Sequence, residues 1–195
     1  LTTGYGIKNI NCIVNGIALH GGLKPFCATF MVFVDYMRPA LRLAALMKLP
    51  VIYVLTHDSI FVGEDGPTHQ PIETISALRA IPNVQVLRPG DAEETVRSWE
   101  IALKTKDHPV CLALTRQNVP VYAKEDPDWK NTMECGAYIV KRGSDAPDVT
   151  ILATGSEVSM ALAAAELVTT KTVRVVSVVD REQFYKQPDT FRETI

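Results

Sequence analysis

The sequence predicts an α/β protein with a parallel sheet flanked by helices, followed by part of a second α/β domain. Three observations carry that prediction. Short apolar runs at Val51–Leu55, Val84–Leu87 and Val110–Leu114 alternate with helical stretches, the rhythm of strands joined by crossover helices. The run Val51–Leu55 is nearly unbroken in its apolar character rather than alternating, as a strand covered on both faces is. A polar, irregular stretch, KEDPDWKNTMECG, then interrupts the chain before the same rhythm restarts at Val149. The 195 residues suffice for one large domain or two small ones, and 47% hydrophobic content fills a core.

Taken in order, the first dozen residues, LTTGYGIKNINC, have no clear period, and Gly4 and Gly6 suggest a turn. Ile13 to Leu19 reads as the last turns of a buried helix stopped at Gly21-Gly22. Phe26 to Thr29 is a short strand. From Phe30 to Lys48 the chain lacks glycine and is rich in Leu, Met, Ala and Arg, which predicts a long helix that Pro39 kinks or splits. After the strand Val51–Leu55 comes a loop, then one or two helical turns over Ile72–Arg79. Asp91 caps a helix to about Lys104, with Glu93 and Glu94 in its first turn. Past the polar stretch, Val149–Ala153 is a strand, Gly155-Ser156-Glu157 opens a helix to about Val168, and Val173–Val179 is a strand. Ser156 there is an N-cap, in a turn of the kind that also binds anions. These elements divide into domains at 1–122 and 136–195, with 123–135 as linker.

Composition narrows the function. A formal charge of −2 without a Lys/Arg cluster argues against nucleic acid as a partner. The apolar runs fall short of the roughly 18 residues that span a membrane, and no targeting peptide is visible. Cys12, Cys27, Cys111 and Cys135 are scattered, which reads as reduced thiols in a cytosol-like compartment rather than a zinc site or disulfide framework. The chain begins without methionine and stops just after a strand-like run, as a piece of a longer protein would.

Chemistry concentrates in Thr56–Pro71, THDSIFVGEDGPTHQP, which holds two histidines, three acids, two glycines and two prolines. A loop leaving the carboxyl end of a buried strand is where polar groups converge on a ligand in open α/β sheets, although an ordinary solvated loop has a similar composition. His57 and His69 are candidate proton carriers or anion partners, and Asp65 a candidate acceptor for substrate hydroxyls. Phe30, Phe33 and Tyr36, spaced i, i+3, i+6, fall on one helix face, which either packs into the core or clamps a flat heterocycle. Arg116, just beyond a strand end, can grip an anion bidentately or lie as a plain surface arginine.

THDSI with GEDGPTHQP, together with NGIALHGG, ATFMVFVDYMRPALRLAALMKLP and LTRQN, resembles the middle, pyrimidine-binding domain of transketolase from about Asn15 to Tyr122. DVTILATGSEV is similar to the start of the transketolase C-terminal domain. The resemblance implies that Phe30, Phe33 and Tyr36 pack around the aminopyrimidine of thiamine diphosphate, with Phe30 stacked on it. It implies that His57 and Arg116 hold the sugar phosphate, that Asp65 reads the hydroxyl next to the carbonyl carbon, and that His69 stands near the reacting centre, with His57 and His69 as the catalytic pair. The reaction implied is transfer of a two-carbon ketol unit from a ketose phosphate to an aldose phosphate, in the pentose phosphate pathway of the cytoplasm. It further implies a homodimer in which a separate N-terminal domain holds the diphosphate and Mg2+ or Ca2+, leaving no metal ligand in this chain.

Two departures stand beside the agreements. The family's activating glutamate, in a motif like G-V-R-E-F-G-M, falls on Ile7 when counted without gaps or on Asn9 with a two-residue deletion, and neither is an acid. No GDG motif followed by an asparagine is present; GEDG at Gly63–Gly66 is a different sequence. A fragment, one subunit of a split enzyme and an inactive paralogue all fit this pattern, as does a non-catalytic module that regulates a homologous partner.

Overall fold

The structure, a computed structural model, describes residues 2–195, with side chains from Gly6 onward. It divides into two compact units, one formed by residues to Leu87 together with Ser98–Gln117, the other by Arg88–Arg97 together with Asn118–Ile195.

The first unit contains a four-stranded sheet in the order β1-β2-β4-β3, all parallel, built from β1 (Phe26–Phe30), β2 (Ile52–Thr56), β3 (Gln85–Leu87) and β4 (Val110–Leu114). Every residue from Val51 to Leu55 is buried, as the continuous apolar run requires. Helix α1 (Thr2–His20), α2 (Val34–Leu46) and α3 (Thr74–Arg79) belong to this unit, while α4 (Ala92–Lys104) contributes only its second half. The core joins Met31, Met37, Leu41 and Ala44 to Tyr53, Leu55, Val86 and Cys111.

Helix α1 reaches back to Thr2, through the glycines that suggested a turn. Its apolar residues do not mark its buried stripe: Asn11, Val14 and Asn15 are buried, whereas Ile10, Ile13 and Leu19 are exposed. The helix is fastened by a buried amide, because Asn15 Nδ2 donates to the Ala40 carbonyl at 2.9 Å and the Tyr53 hydroxyl donates to Asn15 Oδ1 at 3.0 Å. The expected helix from Phe30 to Lys48 is shorter. Phe30 pairs with Thr56 as the last residue of β1, Met31–Phe33 form a single 3-10 turn, and α2 starts at Val34. Pro39 does not split α2. It removes the one hydrogen bond that the Asp35 carbonyl would accept, while Met37, Ala40, Leu41, Ala44 and Ala45 keep both flanks packed.

The second unit has a three-stranded sheet, β5-β7-β6, formed by β5 (Ala137–Lys141), β6 (Val149–Ala153) and β7 (Val173–Val178). β6 and β7 are parallel through α6 (Glu157–Leu167), and β5 adds antiparallel to β7. The polar stretch before β5 is not wholly irregular, since it holds α5 (Trp129–Thr132) and a 3-10 turn at Met133–Cys135. Ser156 makes no side-chain cap to α6. The turn is closed by the backbone instead, with Val158 N–H donating to the Gly155 carbonyl at 3.1 Å and Gly155 at φ +61°. The short helices α7 (Arg181–Tyr185) and α8 (Asp189–Arg192) follow β7.

Glu94, from the part of α4 that belongs to this unit, is fully buried and holds three donors: the Tyr122 and Tyr138 hydroxyls, each at 2.6 Å, and Gly90 N–H at 2.7 Å. Asp91 caps the helix by accepting from Glu94 N–H at 2.9 Å, while the Glu94 carboxylate reaches back past the cap to Gly90 N–H. The Asp91 carboxylate also takes the Lys124 ammonium at 2.5 Å.

Candidate functional site

In the first unit the carboxyl ends of three strands are level. Phe30, Thr56 and Leu114 occupy one register line across β1, β2 and β4. The residues that follow each end therefore meet at one edge of the sheet, where open parallel sheets bind ligands.

His57 leaves β2 with φ +60°, a left-handed conformation that histidine enters more readily than most residues. This turns the imidazole onto the ring of Phe30, with centroids 3.7 Å apart and planes 23° from parallel. Phe30 also lies parallel to Phe33 at 6.3 Å, and Phe33 is 6.1 Å from Tyr36. His69 returns from the far part of the loop and sets its ring edge-on, 5.3 Å from Phe33 and 6.1 Å from Phe30. Five rings thus form one cluster.

The aromatic triad meets, but not as the sequence suggested. Its members come from the end of β1, the 3-10 turn and α2 rather than from a single helix face. Nor are they core residues: Phe30 and Phe33 are half-buried, and Tyr36 is 51% exposed. Aromatic rings gathered at a strand edge with their surfaces still accessible suit stacking on a flat ligand better than they suit packing.

The loop is strapped from both sides. Gln70 Nε2 donates to the Ile60 carbonyl at 2.8 Å, Gln117 Nε2 donates to the Phe61 carbonyl, and His69 N–H closes a turn on the Gly66 carbonyl at 3.0 Å. Arg116 is exposed, with its guanidinium laid on Gly63. A Cβ added at that glycine would lie 3.4 Å from Arg116 Cζ, and Gly63 has φ +92°. Asp65 is exposed in the same loop. His57, His69 and the three rings are thus brought into contact, and Arg116 reaches the loop at Gly63.

Sequence reasoning passed over Thr56 and Thr68. The Thr56 Oγ1 lies 3.1 Å from His57 Nδ1, and the Thr68 Oγ1 lies 2.9 Å from His69 Nδ1. The available signal was the Thr-His dipeptide, present twice in the loop.

At the positions of the absent acid, Ile7 is half-buried against the core and Asn9 is exposed. Asn11, two residues beyond Asn9, is buried; its Nδ2 donates to the Ile7 carbonyl at 2.6 Å and its Oδ1 accepts from the Cys27 thiol at 3.2 Å. Burial pushes the Cys27 thiol up to about 12, so it stays protonated near neutrality. All four cysteines are free. Among the described residues no group of three or more His, Cys, Asp or Glu side chains could hold a metal ion, and no helix is long and apolar enough to cross a membrane.

Comparison with known proteins gives this arrangement its relatives. Residues 8–121 match the family model of the transketolase pyrimidine-binding domain, and residues 136–195 that of the transketolase-like C-terminal domain. Transketolase of Treponema pallidum is 61% identical over 194 residues, covering 98% of this chain and 29% of the relative. Among solved structures, transketolase from Leishmania mexicana superposes with a TM-score of 0.90 at 45% identity, covering 97% of this chain and 28% of that one. A Pichia stipitis transketolase in complex with sedoheptulose 7-phosphate superposes with a TM-score of 0.90 at 40% identity, with the same coverage of 97% and 28%. The chain spans about 29% of the length of the curated relatives it matches. With residues 8–121 and 136–195 matched in order to two transketolase domains, the chain belongs to the transketolase family.

Proposed function

We propose that this chain supplies the pyrimidine-binding and C-terminal parts of a transketolase, which transfers a two-carbon ketol unit from a ketose phosphate to an aldose phosphate with thiamine diphosphate as cofactor. The observation that carries this reading is the ring cluster at the level carboxyl ends of β1 and β2, where Phe30, Phe33 and Tyr36 keep accessible faces beside two histidines. When bound, thiamine diphosphate supplies the electron sink that allows a carbon–carbon bond to break and re-form.

The residues present fit the flat end of that cofactor. His57 stacks on Phe30 and Phe33 lies nearly parallel to it, so a flat ligand ring stacks against the part of this aromatic surface that stays accessible, with Tyr36 beside it. His57 and Arg116 hold the sugar phosphate, the guanidinium acting as a two-pronged donor to phosphate oxygens. Asp65 accepts from the hydroxyl next to the carbonyl carbon, and His69 moves or holds a proton near the reacting centre. The diphosphate and its Mg2+ or Ca2+ sit on a separate N-terminal diphosphate-binding domain, and the working assembly is a cytoplasmic homodimer serving the pentose phosphate pathway.

The phosphate roles give the test. In the complete enzyme, His57→Ala or Arg116→Ala raises KM for phosphorylated acceptors about 10- to 100-fold, the worth of a charge-assisted hydrogen bond, and changes KM for unphosphorylated acceptors little. Equal effects on both acceptors remove the assignment.

A second reading rests on one observation: neither Ile7 nor Asn9 is an acid, and an isoleucine or an amide cannot relay the proton that cofactor activation needs. On that reading the chain is a non-catalytic module that binds and regulates a homologous partner. Peptide sequencing of the purified protein across the region before Asn15 separates the two. A glutamate recovered there supports the enzyme, and Ile7 with Asn9 confirmed supports the module.

A further inference from the structure

Both site histidines are held in the same way by the residue before them. Thr56 Oγ1 meets His57 Nδ1 at 3.1 Å, and Thr68 Oγ1 meets His69 Nδ1 at 2.9 Å. In each case the bond occupies Nδ1, so Nε2 is the ring nitrogen left to meet a ligand. The His57 ring is fixed further by the Phe30 stack at 3.7 Å, and the His69 ring by its edge contacts with Phe30 and Phe33. A neutral imidazole has one N–H, and the partner at one nitrogen decides which nitrogen carries it. A hydroxyl that accepts from Nδ1–H leaves a lone pair at Nε2, which repels a phosphate oxygen. A hydroxyl that donates to Nδ1 puts the proton on Nε2, where it can be given to an anionic or hydroxyl oxygen.

We propose that Thr56 and Thr68 are positioning residues whose hydroxyls donate to Nδ1 of His57 and His69, fixing both imidazoles as Nε2–H donors, His57 toward the phosphate and His69 toward the reacting centre. This rests on the phosphate-binding reading above, and it adds the groups that set the histidines' tautomer and aim. The two Thr-His dipeptides are then one device used twice in a single loop.

The test uses the complete enzyme labelled with 15N-histidine, with signals assigned by subtraction in His57→Gln and His69→Gln. The expected result is a pyridine-type Nδ1 and a pyrrole-type Nε2 at both histidines. Thr56→Val keeps the shape of the side chain but removes the hydroxyl. It should convert His57 to a mixture of tautomers and raise KM for phosphorylated acceptors about tenfold, with kcat nearly unchanged. Thr56→Ser should restore both. A pyrrole-type Nδ1 in the wild type, an unchanged tautomer in Thr56→Val, or failure of Thr56→Ser to rescue would overturn the proposal. If instead His57→Ala leaves the preference for phosphorylated acceptors intact, the phosphate reading fails and takes the functional half of this proposal with it, while the nitrogen signals still decide the tautomer.

Discussion

Replacing Glu94 by alanine is expected to destabilise the second unit by about 4 kcal/mol. The carboxylate is fully buried and holds the Tyr138 hydroxyl, the Tyr122 hydroxyl and Gly90 N–H at 2.6, 2.6 and 2.7 Å. A buried donor left without a partner costs about 1–3 kcal/mol. Tyr138 and Gly90 are buried and lose their partner outright, whereas Tyr122 is half-buried and can turn to water, so two donors at about 2 kcal/mol each set the figure. Glutamine in the same place should cost only about 1 kcal/mol. Its carbonyl can face Gly90 N–H while its amide donates to the two hydroxyl oxygens, so the contacts survive without the charge. The assay is urea unfolding of this 195-residue chain, read by the fluorescence of Trp129, whose ring lies 5.6 Å from that of Tyr138. A Trp99→Phe background removes the other tryptophan, and the alanine variant should lower the transition seen by Trp129 by about 2 M urea. A loss below about 1 kcal/mol in Glu94→Ala would refute the reasoning, because it would mean that the three donors had found other partners.

Three further outcomes follow. Gly63→Ala places a Cβ at φ +92° against the Arg116 guanidinium; it should cost about 1–2 kcal/mol in backbone strain and raise KM for phosphorylated acceptors severalfold, and wild-type kinetics would contradict the contact. Cys27, pushed up to about 12 by burial, should resist thiol reagents at pH 8 in the folded protein and react on unfolding; rapid labelling of the native state would contradict this. Backbone and side-chain hydrogen bonds from Thr172 hold the Asp148 carboxyl below its ordinary value, so its contribution to stability is present above that value and is lost as pH falls through the lower, folded one. Acid unfolding followed against pH should therefore flatten in this range in Asp148→Ala, and an unchanged profile would contradict it.

The two central strands of the first sheet, β2 and β4, were legible because a parallel strand covered on both faces is apolar throughout. Ile52–Thr56 and Val110–Leu114 lie within a residue of where the pattern put them. The start of α1 was not legible. Its buried positions include Asn11 and Asn15, its exposed ones include Ile10 and Ile13, and a hydrophobic pattern finds only helices whose apolar residues face the core. β5 was passed over although Ala137–Val140 is apolar, because it follows directly on a polar stretch and pairs antiparallel at the edge of the sheet, outside the strand–helix–strand rhythm. At the site, the loop's composition identified His57 and His69, but not what they touch. The Phe30–His57 stack depends on the left-handed turn at His57 and on β1 ending level with β2, which are matters of register and backbone that no residue spacing encodes. The i, i+3, i+6 spacing grouped the right three rings for the wrong reason, since a strand end, a 3-10 turn and a helix bring them together.

The central claim is that the ring cluster holds the flat end of thiamine diphosphate, and the most direct measurement is the Kd of thiamine diphosphate for the complete enzyme and its Phe30→Ala and Phe33→Ala variants, by calorimetry. Loss of a ring stacked on the ligand should weaken binding about tenfold or more in Phe30→Ala, with a smaller loss in Phe33→Ala and no change in unfolding midpoint large enough to account for either. A wild-type Kd in a folded Phe30→Ala protein would contradict the account.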